Sequence, residues 1–255
     1  MQNQDATTWP IFVISLSDAA DRRANITRQL NDFGMPFTIV DAVDGRNGLP
    51  SQFEPMVDRD PSRSLVNRML TDAEFACALS HLTIYRHIVD NALPGAIVLE
   101  DDAILTPLFR EFIDARGHRA ADLIQLDHAE GIRSLRHRAI HVDHNIRLVR
   151  AASNATLTTG YSVSLRGAEF ILANALPLRA PADWPCDVST LLTLLAVPRV
   201  VDHPDITAAD SAIAEGRNLA LQQSRTPKHI KENRRFFRTS YWRRWWFKRT
   251  TRRIS

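Results

Sequence analysis

The stretch GAIVLEDDAIL, residues 95–105, decides the reading of the fold. An apolar run, Ala96 to Leu99, ends in three adjacent carboxylates, Glu100, Asp101 and Asp102, and the chain then turns apolar again. Pro94 and Gly95 break the chain ahead of this run, so residues 96–100 read as a buried strand of an α/β sheet. Side chains alternate faces along a strand. Extended geometry through Asp102 would put Glu100 and Asp102 on one side and Asp101 on the other. Two oxygen donors on one face suit a hard divalent cation, Mg²⁺ or Mn²⁺, which would relieve the carboxylate repulsion and bridge to a diphosphate. The alternative for the same residues is a solvated strand end, with one aspartate capping a neighbour.

Strands and helices alternate on both sides of this stretch. PIFVISL (10–16) reads as a strand, followed by a helix over 17–34 with Ser17 as cap, Asp18 and Asp21 in its first turn and Gly34 just past its end. PFTIV (36–40) is a second strand. Residues 45–70 show no clean period and read as a long loop with a short helix. TDAEFACALSHLTIYRHIVDN (71–91) is the clearest helix: Thr71 and Glu74 form a capping box, and Phe75, Leu79, Leu82, Ile84, Ile88 and Val89 supply an apolar face. Beyond the acids, residues 107–116 read as helix, and ADLIQLD, NIRLVR and GYSVSL as strands. RGAEFILANAL (166–176) is read as helix, VSTLLTLLAV (188–197) as helix and PRVV (198–201) as extended. The expected architecture is a mostly parallel central sheet with helices on both faces, with ligands at the carboxyl ends of the strands. The acids stand at such an end.

A chain of 255 residues at 44% hydrophobic and 24% charged can bury a full core. Two cysteines, Cys77 and Cys186, give neither a disulfide framework nor zinc-ligand spacing, and a reducing compartment fits them. The first residues carry no basic segment, and Ile11–Leu16 is too short for a signal core or a membrane span. The net charge of +3 conceals an asymmetry: residues 228–255 hold eleven Lys and Arg against the single acid Glu232, leaving 21 basic and 28 acidic residues elsewhere. A mildly acidic catalytic body, residues 1–223, is therefore expected to bear a basic, aromatic tail, residues 224–255.

Four stretches in order resemble glycosyltransferase family 25, which includes bacterial lipooligosaccharide β-1,4-galactosyltransferases and collagen galactosyltransferases: VISLSDAADRR (13–23), DAVDG (41–45), EFACALSHLTIYRHIVDNALPGAIVLEDDAIL (74–105) and TTGYSVSLRGAEFIL (158–172). PADW (181–184) resembles the family's PVD segment. The resemblance implies a GT-A-like nucleotide-sugar fold whose acidic cluster plays the part of a DxD motif. It further implies inverting transfer of a hexose, with galactose from UDP-galactose the family expectation, to a sugar hydroxyl. The metal would be held by Asp102 with Glu100 or Asp101 helping, and His203 is a candidate further ligand. Ser15, Arg23, Asp44 and His81 are placed with the donor, His81 as a buttress of its pocket. Single displacement needs a base on the opposite side of the sugar from the leaving group. Asp183 is the first choice and Asp187 the second, although Asp187 also reads as a helix N-cap. Asp127, Gly160, Tyr161 and Trp184 are placed on the acceptor side, with an ordinary strand-end role open for Asp127 and a core role for Trp184.

Two other classes share some of these features. A nucleotidyltransferase would want a glycine-rich basic loop after the first strand, and SLSDAADRR has no glycine. A basic-tailed nucleic-acid-binding protein would want a basic body, and this one is acidic. No specific nucleic acid is expected. The tail's tryptophans, Trp242, Trp245 and Trp246, lie among arginines, which suits the headgroups of an anionic leaflet. The expected location is cytoplasmic, peripheral on the inner face of the membrane, with a glycolipid acceptor.

Overall fold

The computed structural model describes residues 9–66, 68–204 and 246–255. Residues 224–245, which hold Trp242, Trp245 and much of the basic tail, lie outside the described residues. The strands are β1 (Ile11–Ser15), β2 (Thr38–Asp41), β3 (Gly95–Glu100), β4 (Ile104–Leu105), β5 (Leu123–Gln125), β6 (Ile132–Ser134), β7 (Ile140–His141), β8 (Arg147–Arg150), β9 (Gly160–Ser164), β10 (Thr193–Val197), β11 (Val201–Asp202) and β12 (Thr251–Arg253). The helices are α1 (Ala20–Asp32), α2 (Asp72–Asp90), α3 (Leu108–Asp114) and α4 (Leu165–Ala175). Eight strands form the main sheet in the order β2-β1-β3-β9-β5-β10-β8-β7. β9 enters antiparallel between β3 and β5, and β8 runs antiparallel to β10 and β7. The other six strands point one way, so the sheet is mostly parallel in direction while mixed in its pairings.

The alternation read from sequence builds two cores. Phe12, Ile14, Ala96 and Val98 face α2 and α4; Ile11, Val13, Ile97 and Leu99 face α1 and α3. Helix α2 forms as its sequence dictates: the Thr71 hydroxyl accepts the Glu74 amide at 3.2 Å, and the Glu74 carboxylate accepts the Thr71 amide at 3.0 Å. Glu74 is itself buried and also holds Arg68, which fastens the preceding loop to the helix start. Phe75, Leu79, Leu82, Tyr85 and Ile88 disappear into the core, each contributing about 2 kcal/mol by area. Helix α1 starts later than its sequence suggests, at Ala20 with no side-chain cap. Gly34 sits at φ +64° past its end. Its amide reaches the Asn31 carbonyl, and that of Met35 reaches Leu30, a Schellman closure sealed by Met35 against the core.

One element differs in kind. VSTLLTLLAV is a short 3₁₀ turn, Val188–Thr190, followed by strand β10. β10 pairs with β5 on one edge and β8 on the other, and four of its five residues are buried. A leucine-rich run has helical propensity, but ladder bonds on two edges and burial on both faces override it. No described helix is long and apolar enough to cross a membrane.

Candidate functional site

The acids end β3 at the carboxyl edge of the sheet. Glu100 keeps the parity of Ala96 and Val98 and points toward α2. Its Oε1 accepts the Thr158 hydroxyl at 2.7 Å and lies 3.3 Å from His81 Nε2. Asp101 keeps the opposite parity and points toward α1. Its Oδ2 accepts the Ser15 hydroxyl at 2.6 Å, and its Oδ1 stands 3.4 Å from Arg22. The chain turns at Asp102, closed by the Ala103 amide on the Glu100 carbonyl. Asp102 is the least supported of the trio: its Oδ1 is buried and finds no hydrogen-bond partner, and only its own amide and the charge of Arg22 favour the ionised form. Burial first, then the charges of Glu100 and Asp101, push its carboxyl up to about 7. Burial would raise Glu100 too, but its bond and charge interaction with His81, together with Thr158, hold it below the usual range.

These residues fit a hard divalent cation. The orphaned Asp102 oxygen and the strained charge on its neighbours are what a cation would satisfy. The β11–β4 register carries His203 toward the acids, although among the described residues His203, Glu100 and Asp102 do not bring their ligand atoms within 4.8 Å of one another. β11 pairs with β4 at Val201–Leu105 and Asp202–Ile104; one step further in that register, His203 comes opposite Ala103, next to Asp102. His203 Nδ1 lies 2.8 Å from Asp127 Oδ2. A carboxylate on one imidazole nitrogen fixes the tautomer and leaves the other available, which is how metal-binding histidines are supported. Among the described residues, the group that does bring three ligand atoms within 4.8 Å of one another is Cys77, His81 and Glu100. That trio suits a cation poorly. Burial pushes the Cys77 thiol well above its ordinary value, and both His81 nitrogens already face partners.

His81 belongs to a buried chain of hydroxyls. The Tyr85 hydroxyl donates to Tyr161 at 2.7 Å, Tyr161 lies 2.8 Å from His81 Nδ1, and His81 Nε2 faces Glu100. Tyr161 is therefore beneath the site, fully buried, and its hydroxyl meets protein on both sides. The acceptor-side expectation for Tyr161 is corrected by that burial. At Gly160 a Cβ would stand 3.0 Å from Val201, so the glycine lets β11 close over β9. Arg23 bonds the carbonyls of Ser15 and Leu16 and the Asp41 carboxylate, tying the ends of β1 and β2 together. Asp44 is held by Arg46, whose side chain and amide lower its carboxyl to about 2.

A cleft of about 460 Å³, which none of the three acids lines, is bordered by Arg68, Asn154, Thr156, Asp183, Trp184 and Asp187, among others. Asp183 Oδ1 accepts the Leu157 amide at 3.1 Å. The adjacent Thr158 hydroxyl holds Glu100, so consecutive residues carry one carboxylate from each half of the site. Leu157 and Trp184 both sit at positive φ, +79° and +72°. Trp184 is mostly core: it stands edge-on to Tyr161 and donates from Nε1 to the Ala155 carbonyl at 3.0 Å. Asp187 is exposed, and its Oδ1 caps the 3₁₀ turn through Ser189. Asp127 is fully buried, held by His203 and Arg199. Leu157 and Thr158 escape the sequence reading; the signal for them is the polar Thr158-Thr159 pair at the entrance to an apolar strand.

Comparison with known proteins places this geometry. The family model described as glycosyltransferase family 25 (LPS biosynthesis protein) matches residues 8–186. Procollagen galactosyltransferase 1 of Danio rerio is 30% identical over 184 residues, covering 68% of this chain and 30% of that protein. Procollagen galactosyltransferase 2 of Homo sapiens is 29% identical over 186 residues, 68% of this chain and 29% of its own. The lacto-N-neotetraose biosynthesis glycosyltransferase LgtB of Neisseria meningitidis is 37% identical over 95 residues, 36% of this chain and 32% of its own. The chain thus spans about a third of the length of each of these relatives. The mixed α/β sheet, with helices on both faces and acids at a strand end, is a GT-A-like arrangement. The chain belongs to glycosyltransferase family 25.

Proposed function

We propose that the protein transfers a hexose, galactose first among candidates, from a UDP-sugar to a hydroxyl of a lipopolysaccharide or other glycan acceptor, with inversion. The observation that carries this reading is the buried, unpartnered Oδ1 of Asp102 just past the end of β3, beside Glu100 and Asp101. Asp102, Glu100 and His203 would hold Mn²⁺ or Mg²⁺, which would neutralise charge developing on the departing diphosphate. Thr158 and His81 fix Glu100, and Ser15 and Arg22 fix Asp101, so the donor end of the site is rigid before substrate arrives.

Asp183 takes the acceptor proton. It lines the cleft and is steadied by Leu157, whereas Asp187 caps a turn at the exposed rim. The acceptor hydroxyl would lie in the cleft between Asp183 and the donor carbon, with Asn154 and Thr156 among the polar groups there. Support for galactose comes from the relatives named as galactosyltransferases. Support for a bacterial surface glycan comes from the family description and the Neisseria relative. The basic segment 224–255 holds the enzyme to the anionic inner leaflet, where a lipid-carried acceptor is presented.

The test is UDP release with Mn²⁺ across UDP-galactose, UDP-glucose and UDP-N-acetylhexosamines against a panel of glycan acceptors, with the anomeric configuration of product read by NMR. Release from UDP-galactose that needs an acceptor, with an inverted anomer, is expected. A retained anomer, or release from none of these donors, would reject the reading.

A further inference from the structure

The last ten residues are not separate from the body. β12 pairs antiparallel with β6, matching Thr251 with Ser134, Arg252 with Arg133 and Arg253 with Ile132. The Ile254 amide bonds the Gly131 carbonyl, and Ile254 packs on the small core of Val149, Ala151, Ala155 and Leu195. The Ser255 hydroxyl accepts the Gly131 amide at 2.8 Å and faces His128 Nδ1 at 3.0 Å, while His128 Nε2 donates to the Ala196 carbonyl. Arg136 stacks on Trp246 at 5.5 Å.

This pairing concentrates charge of one sign. Residues 131–141 contribute Arg133, Arg136 and Arg138; residues 246–255 contribute Lys248, Arg249, Arg252 and Arg253. Neither segment contains an acidic side chain, the nearest in sequence being Glu130 and Asp143 at the borders of the first, although Arg253 donates to the Ser255 main-chain oxygen at 2.6 Å. Arg252 and Arg133 stand directly opposite across the ladder, where like charges repel. The Arg133 Nε is buried and lacks a hydrogen-bond partner. Opposed guanidiniums and an orphaned donor are satisfied by an anion. Large apolar side chains are exposed on the same two segments: Trp246 at 54%, Leu135 at 45% and Phe247 at 39%. Aromatic and aliphatic groups among cations match a headgroup layer, with phosphates for the arginines and the acyl boundary for the rings.

We propose that β6, its following loop and the docked C-terminal segment form one composite surface that seats on an anionic lipid leaflet through headgroup phosphates. It deepens the attachment inferred for the basic segment and rests on that reading. It adds that the catalytic body contributes its own cations, so the enzyme lies on the leaflet in a fixed orientation. The bridge to the site is short: His128, held by Ser255, follows Asp127, which holds His203.

The test uses the full chain with phosphatidylcholine vesicles, with and without phosphatidylglycerol, reading sedimentation and tryptophan emission. Wild type should sediment only with the anionic vesicles, with a blue shift that Trp246→Phe diminishes. The body variant Arg133→Gln/Arg138→Gln, tail intact, should bind roughly thirtyfold more weakly, about fivefold per cation. Should that variant lose its thermal transition, Arg136→Gln/Arg138→Gln, also with the tail intact, serves instead, with the same expected loss. If wild type binds and the body variants bind equally well, the composite surface is wrong while the tail attachment stands. If wild type ignores anionic vesicles, both fall. Tighter binding to single-stranded RNA than to vesicles at equal salt would reject the lipid occupant.

Discussion

At the residue scale, the site is a set of carboxylates sorted by what supports them. Glu100 and Asp101 point to opposite faces and each is bonded by a hydroxyl and a cationic or imidazole neighbour; Asp102 feels the charge of Arg22 but its buried Oδ1 has no hydrogen-bond partner. That sorting was legible in part. The alternation of Glu100 and Asp101 follows from strand geometry, but the turn at Asp102 ends the simple parity argument. The supporting hydroxyls come from β1 and from the entry to β9, segments brought beside β3 only by the sheet order. Tyr161 misled because a tyrosine near a strand start is equally suited to a ligand or to a buried hydroxyl chain. The base assignment belongs at this scale. Asp183→Asn should lower kcat by about a hundredfold or more while UDP-sugar affinity stays nearly unchanged, since the group acts on the acceptor. Asp187→Asn should leave turnover within a few-fold. Steady-state kinetics beside UDP-sugar titration checks both, and the reverse pattern would move the base to Asp187.

At the element scale, caps and periodicity made α2 and its boundaries readable, whereas β10 was not. The capping box of α2 is local and fixed by Thr71 and Glu74 alone. The fate of VSTLLTLLAV depends on β5 and β8, which lie elsewhere in the chain. Glu74 does more than cap, because it neutralises Arg68, only 10% exposed at its side chain. Thr71→Ala should therefore cost about 1 kcal/mol, and Glu74→Gln about 3 kcal/mol, by urea unfolding. Equal losses would mean that the ion pair adds nothing to the cap. His118, packed against Trp9 at 5.4 Å and accepting from Arg119 at Nε2, gives the fold a pH dependence. Burial, then the charges of Arg119 and Arg116, lowers it from 6.5 to about 4. The folded state thus favours neutral imidazole. Its contribution is intact above pH 6.5 and lost as pH falls from 6.5 toward 4, by about 3 kcal/mol at most. His118→Gln should flatten the stability profile in that window relative to wild type, measured by urea midpoints.

At the scale of the whole molecule, a two-sided core was legible because both faces of β1 and β3 carry apolar residues. The division into a body and a basic, aromatic tail was drawn from composition, which is blind to pairing. β12 completes a sheet with β6 and seats Ser255 against His128. Deleting residues 246–255 should accordingly lower the thermal midpoint by a few degrees, for a loss of about 1–2 kcal/mol, and expose residues 128–141 to proteolysis. An unchanged midpoint would show that the docked segment adds no stability.

The central claim is that the acids at the end of β3 form a cation-dependent site for a nucleotide diphosphate. Calorimetric titration of UDP into wild type and Asp102→Asn, each with and without Mn²⁺, tests it most directly, because it reads binding without needing the acceptor. The account predicts that wild type binds UDP tightly only with Mn²⁺, and that Asp102→Asn, folded and with an unreduced thermal midpoint, loses that dependence. Equal UDP binding with and without the metal, or an Asp102→Asn protein that keeps the wild-type response, would contradict it.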